Sequence, residues 1–525
     1  MQPRRTGTLH AAGRAAMWPT LAMLLAPLLV LGWAGLVHPA RAQVGAPVLV
    51  SRDGAGSAGD AQSYEARIDA RGRRIAFSSA AANLVPGDGN GVADVFLLDR
   101  DGPGLRRISL RSDGRESSGP SGMPALSADG RWLAFVAESA LGTEPAPWGG
   151  LYLKALDTGS LTLLAVDTDE GRGTHFAPVI DGVGDRVAFL STVDLDASGV
   201  AGGGLPAVFV WQRGRSGFRR IGPADADAGA SDLALAADGG WLSFASEASN
   251  LIAGEVSLRR QVYVADLDDG GLTRVSVHSD GSPGNGNSLE PTLTADGRLV
   301  AFTSYATNLV DRDVNGVSDI FVHDRVDGRT WSVTDVQPGD NVYHPADSDG
   351  PSFTADGRCL AFGSGMYTLE PGAPREQIFN IYVHHLVERR TERVSRRADG
   401  GRPERGSRMP AIAGSGGSVA FVSEAALLPL DTNEASDIYV TEIGCAVEGA
   451  ATSAPTQGHV TATPVHGATA TPHHGATATP VHGATATPVH GATATPVHGA
   501  TAGHPTATPV RPEPGQRAFL PFVSG

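Results

Sequence analysis

The chain is poor in cysteine and lysine and lacks the local motifs of common enzyme classes. Its 525 residues include two cysteines, Cys359 and Cys445, and one lysine, Lys154. Two cysteines are too few for a disulfide-dense scaffold, and no Cys/His spacing typical of zinc sites is present. A G-x-S-x-G elbow and an H-E-x-x-H motif are also absent, which argues against a serine hydrolase domain and a zinc protease.

Acidic residues outnumber basic ones, 56 to 41, for a formal net charge of −15. A surface of this sign repels the phosphate backbone. We therefore expect no nucleic-acid partner.

Residues 1–42 are predicted to be a signal peptide. Three arginines precede the apolar run 17–37, and Ala40-Arg41-Ala42 supplies a small-x-small cleavage site. The run is also long enough to serve as a retained membrane anchor. Cleavage would remove four arginines and leave a net charge of −19 from 37 basic and 56 acidic residues. No other stretch is apolar enough to cross a membrane, so we expect a secreted or cell-surface protein.

A repeat of 54 to 60 residues fills most of the remaining chain. Its clearest copy is SADGRWLAF, residues 127–135, and the phenylalanine recurs at Phe77, Phe135, Phe189, Phe244, Phe302, Phe362 and Phe421. An Asp-Gly turn between two apolar runs is typical of a tight hairpin. A second aromatic follows in each unit, at Phe96, Tyr152, Phe209, Tyr263, Phe321, Tyr382 and Tyr439. A period of this size with β-type patterning predicts one radial repeat fold, with these aromatics packed between neighbouring units.

The ends of the repeat region predict how the ring closes. The seventh unit has only three strands, and residues 48–54 match the outer strands of the other units. We therefore predict an all-β, seven-bladed β-propeller over residues 43–445, closed by the N-terminal outer strand, which leaves no open seam. First strands are predicted to begin at proline in five units, where a sheet edge tolerates the missing N–H. Those prolines are Pro124, Pro178, Pro291, Pro351 and Pro410.

Three units, PALSADGRWLAF, PTLTADGRLVAF and PSFTADGRCLAF, carry a pattern close to a known one. They resemble the TolB-like, WD-type repeats of bacterial exported propellers, and the resemblance covers about 400 residues. It implies a propeller exported from a bacterial cell.

Acidic loops recur between the second and third strands of three units. Oxygen ligands at alternating positions around a glycine turn suit calcium and are similar to the first half of an EF-hand loop. The alternative is that Asp and Asn form Asx-turns, with Asp319 capping the third strand. The candidate ligands are Asp311, Asp313, Asn315 and Asp319 in unit five, Asp88, Asn90 and Asp94 in unit one, and Asp431, Asn433 and Asp437 in unit seven.

Glu138, Glu247 and Glu424 occupy equivalent positions after second strands. They could converge near the channel mouth as acid/base groups, or they could be solvated loop acids. An active site assembled from several blades would leave no local motif.

Cys359 and Cys445 fall on the same predicted face, so a disulfide is possible. Two unpaired thiols are the favoured expectation.

After the propeller, residues 446–516 repeat HGATATPV and hold few bulky apolar side chains. Such a composition predicts a disordered linker. Residues 517–525, RAFLPFVSG, are apolar again and are predicted to be a short C-terminal tag.

These observations favour a monomeric, non-enzymatic binding module. Long loops and blade-to-blade connections are predicted to share one face, where a protein or polysaccharide ligand would bind, with calcium as a possible support. Two alternatives stay open: an extracellular hydrolase or lyase, and a structural cell-surface protein.

Overall fold

Seven four-stranded antiparallel sheets form the blades of the propeller. The computed structural model describes residues 44–142, 148–167, 174–195, 204–255, 257–313, 315–334, 346–370 and 377–445. The predicted signal peptide, linker and C-terminal tag lie outside these residues.

Innermost strands span Ser63–Ile68, Ser121–Leu126, His175–Ile180, Ala230–Leu235, Ser288–Leu293, Ser348–Phe353 and Ser407–Ile412. Second strands span Arg74–Ser79, Trp132–Ala137, Arg186–Ser191, Trp241–Ser246, Leu299–Ser304, Cys359–Ser364 and Ser418–Ser423. Third strands span Asp94–Asp99, Gly150–Ala155, Ala207–Gln212, Gln261–Asp266, Asp319–Asp324, Asn380–His385 and Asp437–Glu442. Outer strands span Gly104–Arg107, Leu161–Val166, Arg219–Ile221, Leu272–Arg274, Arg329–Ser332, Arg390–Arg393 and Val48–Leu49. The one helix among the described residues is a 3-10 turn, Tyr367–Leu369.

The predicted closure by the N-terminal strand is confirmed. Val48 and Leu49 pair with Val440 and Tyr439 and supply the outer strand of blade 7. The first and last described segments of the chain are therefore held in one sheet.

The predicted aromatic core is also confirmed. In every blade, the second-strand phenylalanine lies directly opposite the third-strand aromatic, and the ring centroids are 5.7 to 6.3 Å apart. All fourteen side chains are buried. Each pair adds about 0.5–1.5 kcal/mol beyond the area that it buries.

Hydrogen bonds between the first turns join the blades into a closed ring. In each blade, a backbone N–H in the turn after the innermost strand donates to a carbonyl in the same turn of the next blade, at 2.8 to 3.0 Å. In order round the ring, the donor–acceptor pairs are Ala70–Ala128, Asp129–Gly182, Gly182–Ala237, Asp238–Ala295, Ala295–Ala355, Ala355–Gly414 and Ser415–Ala70. The last bond returns from blade 7 to blade 1.

The innermost strands differ from the sequence prediction. They begin three residues before the predicted prolines, and each proline sits at a β-bulge, where the register shifts. Bulges are the other sheet position that tolerates a missing N–H. The third residue of the innermost strand has a left-handed backbone in every blade: Glu65, Met123, Ala177, Asp232, Glu290, Gly350 and Met409.

The expectation of two unpaired thiols is wrong. Cys359 and Cys445 form a disulfide with Cα atoms 6.3 Å apart. Cys359 begins the second strand of blade 6, and Cys445 follows the third strand of blade 7. The bond ties these two blades together and closes a loop of 86 residues, which stabilises the fold by about 5 kcal/mol on loop-entropy grounds.

A glycine packs against a tryptophan where blades 4 and 5 meet. Gly297, at φ +67°, lies on the indole of Trp241, and a Cβ there would be 2.3 Å from the ring. Arg325 covers the other side of the indole, with its guanidinium carbon 3.7 Å from the ring centroid, and donates to the Gly297 carbonyl. The same arrangement joins blades 2 and 3 through Trp132, Gly184 and Arg213.

We predict that Gly297→Ala lowers the free energy of unfolding more than Gly316→Ala. Both glycines have a positive φ, +67° and +69°, but a Cβ at Gly316 meets nothing within 4 Å. Both variants place alanine at a positive φ, so this energetic cost cancels in the comparison. The clash with the indole should lower the free energy of unfolding of Gly297→Ala by about 1–3 kcal/mol more than that of Gly316→Ala. Denaturant unfolding of the two variants measures the difference, and equal losses would contradict the role of this contact.

Candidate functional site

The loops after the second strands and the connections between blades lie on one face of the ring, because each strand runs antiparallel to the one before it. We call this the long-loop face. The opposite face carries the tight turns and is called the short-turn face. The predicted acidic loops lie on the long-loop face, so their contacts decide what this face can bind.

The three acidic loops share one hydrogen-bonded turn. In each, the side-chain amide of an asparagine donates to the aspartate four residues later, and its carbonyl oxygen accepts a backbone N–H two residues on. These pairs are Asn90–Asp94, Asn315–Asp319 and Asn433–Asp437. The contacts are those of the Asx-turn alternative.

The aspartate at the start of the third strand is also tied to the segment just after the outer strand. Asp319 accepts a hydrogen bond from Thr334 Oγ1 at 2.6 Å, and the same hydroxyl accepts the N–H of Ile320 at 2.9 Å. Blades 4 and 6 make the same pair of contacts with Gln261 and Asn380 in place of the aspartate. An amide can therefore fill this position, which does not require a charge.

In the first loop, an arginine lies among the acidic side chains. Arg107 Nη1 is 2.9 Å from Asp88, 3.1 Å from Asp94 and 2.9 Å from Glu116. The arginine occupies the position that a cation would need, so these residues do not fit calcium. Burial raises the pKa of Asp88 to about 6, although Arg107 lowers it.

In the seventh loop, hydroxyl groups contact the carboxylates. Tyr439 donates to Asp431, and Ser51 of the N-terminal segment donates to Asp437. Asn433 also donates to the carbonyl of Gly59 at 2.6 Å. The loop therefore holds the closing segment in place.

The fifth loop separates its predicted ligands. Asp311 is almost fully exposed, and its carboxylate lies 3.6 Å from His278 Nε2. Asp313, Asn315 and Asp319 are buried. The register places Ser332 where blade 1 has Arg107, and the third-strand aromatic is Phe321, which lacks the hydroxyl of Tyr439. Calcium at this loop stays a prediction.

The three glutamates lie in three different blades. Glu138, Glu247 and Glu424 follow the second strands of blades 2, 4 and 7, which are not neighbours in the ring. Glu247 pairs with Arg260 at 3.0 Å, and Glu424 is exposed. Within the described parts of the chain, no hydrogen bond or ion pair joins any two of them.

A row of outer-strand arginines, which the sequence analysis did not identify, lies behind the long-loop face. Arg107, Arg220, Arg274 and Arg393 each lie directly opposite the third-strand aromatic of their blade. Three of them pair with a carboxylate from the loop after the second strand: Arg107 with Asp88 at 2.9 Å, Arg274 with Glu255 at 3.2 Å and Arg393 with Glu370 at 3.3 Å.

Arg220 of blade 3 differs from the other three arginines. Its Nη2 donates to the carbonyl of Ala224 at 3.4 Å, and its guanidinium carbon is 5.4 Å from the Phe209 ring centroid. Its buried Nε and Nη1 have no hydrogen-bond partner among the described residues, as is also true of Arg393, but Arg393 has the Glu370 carboxylate beside it. A half-buried arginine with two buried, unpaired nitrogen atoms is a candidate anion site.

The connection that follows Arg220 is unusually short. From the outer-strand arginine to the first residue of the next innermost strand, the chain advances 14 positions in three blades, starting at Arg107, Arg274 or Arg393. From Arg220 it advances only 10. The three longer connections contain an Asp-Gly turn, which the connection 222–229 lacks. Less chain therefore covers the joint between blades 3 and 4.

A cleft of about 240 Å³ opens at this joint, with Arg220 in its wall. Its other walls are mostly apolar, including Leu205, Pro206, Pro223, Phe244 and Leu251, and its polar lining consists of Arg220, Asp225 and Ser246. Leu251 is half-buried, whereas the equivalent Leu84 and Leu309 are buried. Part of the Leu251 side chain therefore faces the cleft, whereas the equivalent leucines of blades 1 and 5 are covered.

An asparagine fixes the lip of the cleft. Asn250 donates to the carbonyl of Asp225 at 2.7 Å and accepts the N–H of Asp227 at 3.1 Å. Asn83 and Asn308 clamp the connections of their blades in the same way. The cleft is therefore bounded by chain that is held in place before any ligand binds.

Comparison with known proteins finds similarity of fold. TolB from Acinetobacter baumannii is 16% identical, with a TM-score of 0.35 over 64% of this chain and 64% of that one. The β-propeller domain of the Trilobed protease from Pyrococcus furiosus is 9% identical, with a TM-score of 0.45 over 73% of this chain and 98% of that one. Acylaminoacyl peptidase from Pyrococcus horikoshii is 11% identical, with a TM-score of 0.41 over 69% of this chain and 49% of that one.

No protein-family model matches the chain, and no curated protein matches it. The seven-bladed architecture is established by the chain's own strand pairing. Within its described residues, the structure contains no helix of the length and hydropathy needed to span a membrane.

We predict that Asp437→Asn changes how stability depends on pH. Burial raises the pKa of Asp437 to about 6, despite the hydrogen bonds from Ser51 and Asn433. The folded state therefore retains a proton that the unfolded state loses near pH 4, and wild-type stability falls as pH rises from about 4 to 6. Asparagine, which blade 6 carries at this position, cannot ionise.

The free energy of unfolding of Asp437→Asn, relative to wild type, should rise by about 1–3 kcal/mol between pH 4 and pH 7. Urea unfolding at both pH values, with EDTA present, measures it. Asp311→Asn, at a side chain that is 98% exposed, serves as the control and should follow wild type. A constant difference between Asp437→Asn and wild type would contradict the prediction.

Proposed function

We propose that this protein is an exported, non-enzymatic binding propeller that takes a carboxylate-bearing peptide segment of a partner protein in the cleft between blades 3 and 4. The carrying observation is Arg220, the one member of its row without a carboxylate partner among the described residues, in the wall of an apolar cleft. A ligand carboxylate would form the ion pair that Arg107, Arg274 and Arg393 form within the chain.

The lining favours a peptide over a polysaccharide. A glycan presents many hydroxyl groups, whereas the cleft offers only Arg220, Asp225 and Ser246 as polar side chains. A cleft of about 240 Å³ is smaller than most whole-ligand pockets and suits one apolar side chain with an adjoining carboxylate. The net charge of −15 also disfavours an acidic polymer.

The geometry supports binding better than catalysis. Glu138, Glu247 and Glu424 would have to share a pocket to serve a hydrolase or lyase, and they lie in three separated blades. A purely structural surface role would leave the cleft without a purpose. Export and surface display, supported by residues 1–42 and the repetitive tail, and a monomeric state belong to the same proposal.

Binding of N-acetyl-leucine, compared with its uncharged amide, tests this function. We expect wild-type protein to bind the acid at millimolar concentration and the amide at least tenfold more weakly, because only the acid pairs with Arg220. Arg220→Met should remove this preference, while Arg408→Met, at an exposed residue elsewhere on the ring, should keep it. Chemical-shift changes in the protein measure both affinities.

Filling the cleft gives an independent readout. Ala226→Leu places a larger apolar side chain at the cleft wall and should weaken binding of acid and amide alike. Equal affinity of wild type and Arg220→Met for the acid would refute the proposed function.

Calcium at the fifth loop is a second part of the proposal. It is supported by the burial of Asp313 and Asp319 and by the replacement of Arg107 by Ser332 at the matching position. We expect millimolar calcium to raise the melting temperature relative to EDTA, by an amount that corresponds to about 2.7 kcal/mol at a hundred times the dissociation constant. Asp313→Asn should abolish the rise in melting temperature, and Asp431→Asn should keep it. If calcium does not raise the melting temperature of the wild type, the calcium proposal is refuted and the loop is an Asx-turn without a metal.

A further inference from the structure

Two cysteines and a histidine meet on the short-turn face of blades 6 and 7. Cys359 begins the second strand of blade 6, and His385 ends the third strand directly opposite it in the register. Cys445 reaches the same place from the end of blade 7. Among the described residues, this is the one group of three or more potential metal-ligating side chains whose ligand atoms lie within 4.8 Å of one another.

A single nitrogen of the histidine faces both sulfur atoms. His385 Nδ1 is 3.5 Å from Cys359 Sγ and 3.7 Å from Cys445 Sγ. In a tetrahedral zinc site, bond lengths of about 2.3 Å to sulfur and 2.0 Å to nitrogen place the two ligand atoms about 3.5 Å apart. The nitrogen–sulfur distances already match that spacing.

The other nitrogen of the imidazole is held by a carboxylate. His385 Nε2 is 2.8 Å from Glu392 Oε1, and the second oxygen of Glu392 pairs with Arg390 at 2.7 Å. Arg390 also lies 2.8 Å from Nε2.

Glu392 accepts a hydrogen bond from a protonated Nε2, whereas Arg390 can only donate to an unprotonated one, so the two contacts favour opposite tautomers. In the tautomer that pairs with Glu392, the lone pair of Nδ1 is directed at the sulfurs. Metal-ligating histidines have this same arrangement, with the second nitrogen donating to a carboxylate.

We propose that Cys359, His385 and Cys445 form a redox-gated site for a thiolate-binding divalent cation such as Zn²⁺. The disulfide and the bound cation are alternative states of the same three side chains. Reduction adds two electrons and two protons to the disulfide and gives two thiols. The cation then displaces both thiol protons to solvent and binds two thiolates and Nδ1.

Glu388 lies beside the cluster and could become a fourth ligand after its side chain rotates. Its carboxylate lies 3.8 Å from His385 Nδ1, on the turn between the third and outer strands, and its side chain is 63% exposed. His385 itself is 4% exposed. Cys359 and His385 are buried, whereas Cys445 and Glu388 are partly exposed, so a cation can reach the site from solvent. In either redox state, the end of blade 7 stays attached to blade 6.

Cobalt(II) binding to the full chain tests the proposal. A phosphine reduces the disulfide and is oxidised to the phosphine oxide, with water supplying the oxygen and the two protons. We expect the reduced protein to bind one equivalent of Co²⁺ with thiolate-to-cobalt charge-transfer absorption, which Zn²⁺ displaces. The histidines of residues 446–516 can also bind cobalt but give no thiolate band, so this band is the readout.

Matched variants separate the ligands from their neighbours. Cys359→Ser and Cys445→Ser should weaken or abolish the band, and His385→Gln should reduce affinity by at least tenfold. His384→Gln is the control, because His384 Nδ1 contacts Thr391 instead, at 2.9 Å, and it should bind as wild type does. Glu392→Gln should lower affinity 10- to 100-fold through loss of the positioning contact.

The oxidised protein should give no band. If reduction unfolds the chain, Zn²⁺ should refold it, as circular dichroism would show. The proposal is overturned if the reduced wild type gives no thiolate band and is not refolded by zinc, or if His385→Gln binds as tightly as wild type.

Discussion

The closed ring of hydrogen bonds between the first turns is the constraint on which the other features of this propeller depend. Each turn donates to the next, and Ser415 returns to Ala70, so a change in one turn must be accommodated by both neighbours. Gly297 and Gly184 lie directly on indole rings and leave no room for a side chain. Because the short-turn face is fixed in this way, the seven blades can differ mainly in the loops of the opposite face.

The repeat predicted the aromatic core because each aromatic recurs at a fixed place relative to a turn, as Phe302 and Phe321 do in blade 5. Proline was less informative. An edge position and a bulge both tolerate Pro291, and only the register of the sheet distinguishes them. The acidic loops were ambiguous for a similar reason, since the same Asp and Asn residues suit calcium and Asx-turns. The residue that decides the first loop, Arg107, lies in another strand.

The cleft, in contrast, left a signal in the sequence that comparison of the seven units could have detected. Arg220 aligns with three other arginines, and the distance to the next innermost strand drops from 14 positions to 10. A repeat protein supplies its own controls, because equivalent positions share a backbone and differ in side chains. The arginine whose carboxylate partner is missing from the described residues, and the missing turn, fall at the same joint, which is hard to explain by packing alone.

The cluster of Cys359, His385 and Cys445 left no such signal, since its members are 26 and 60 residues apart and come from strands of two blades. Glu392 and Arg390 both lie 2.8 Å from His385 Nε2 and satisfy that nitrogen. These contacts alone would allow the imidazole several tilts about Nε2. Placing Nδ1 within 3.7 Å of both sulfurs is an additional restriction that a plain crosslink does not require. The orientation of the imidazole is therefore the feature that a cation site explains and a disulfide alone does not.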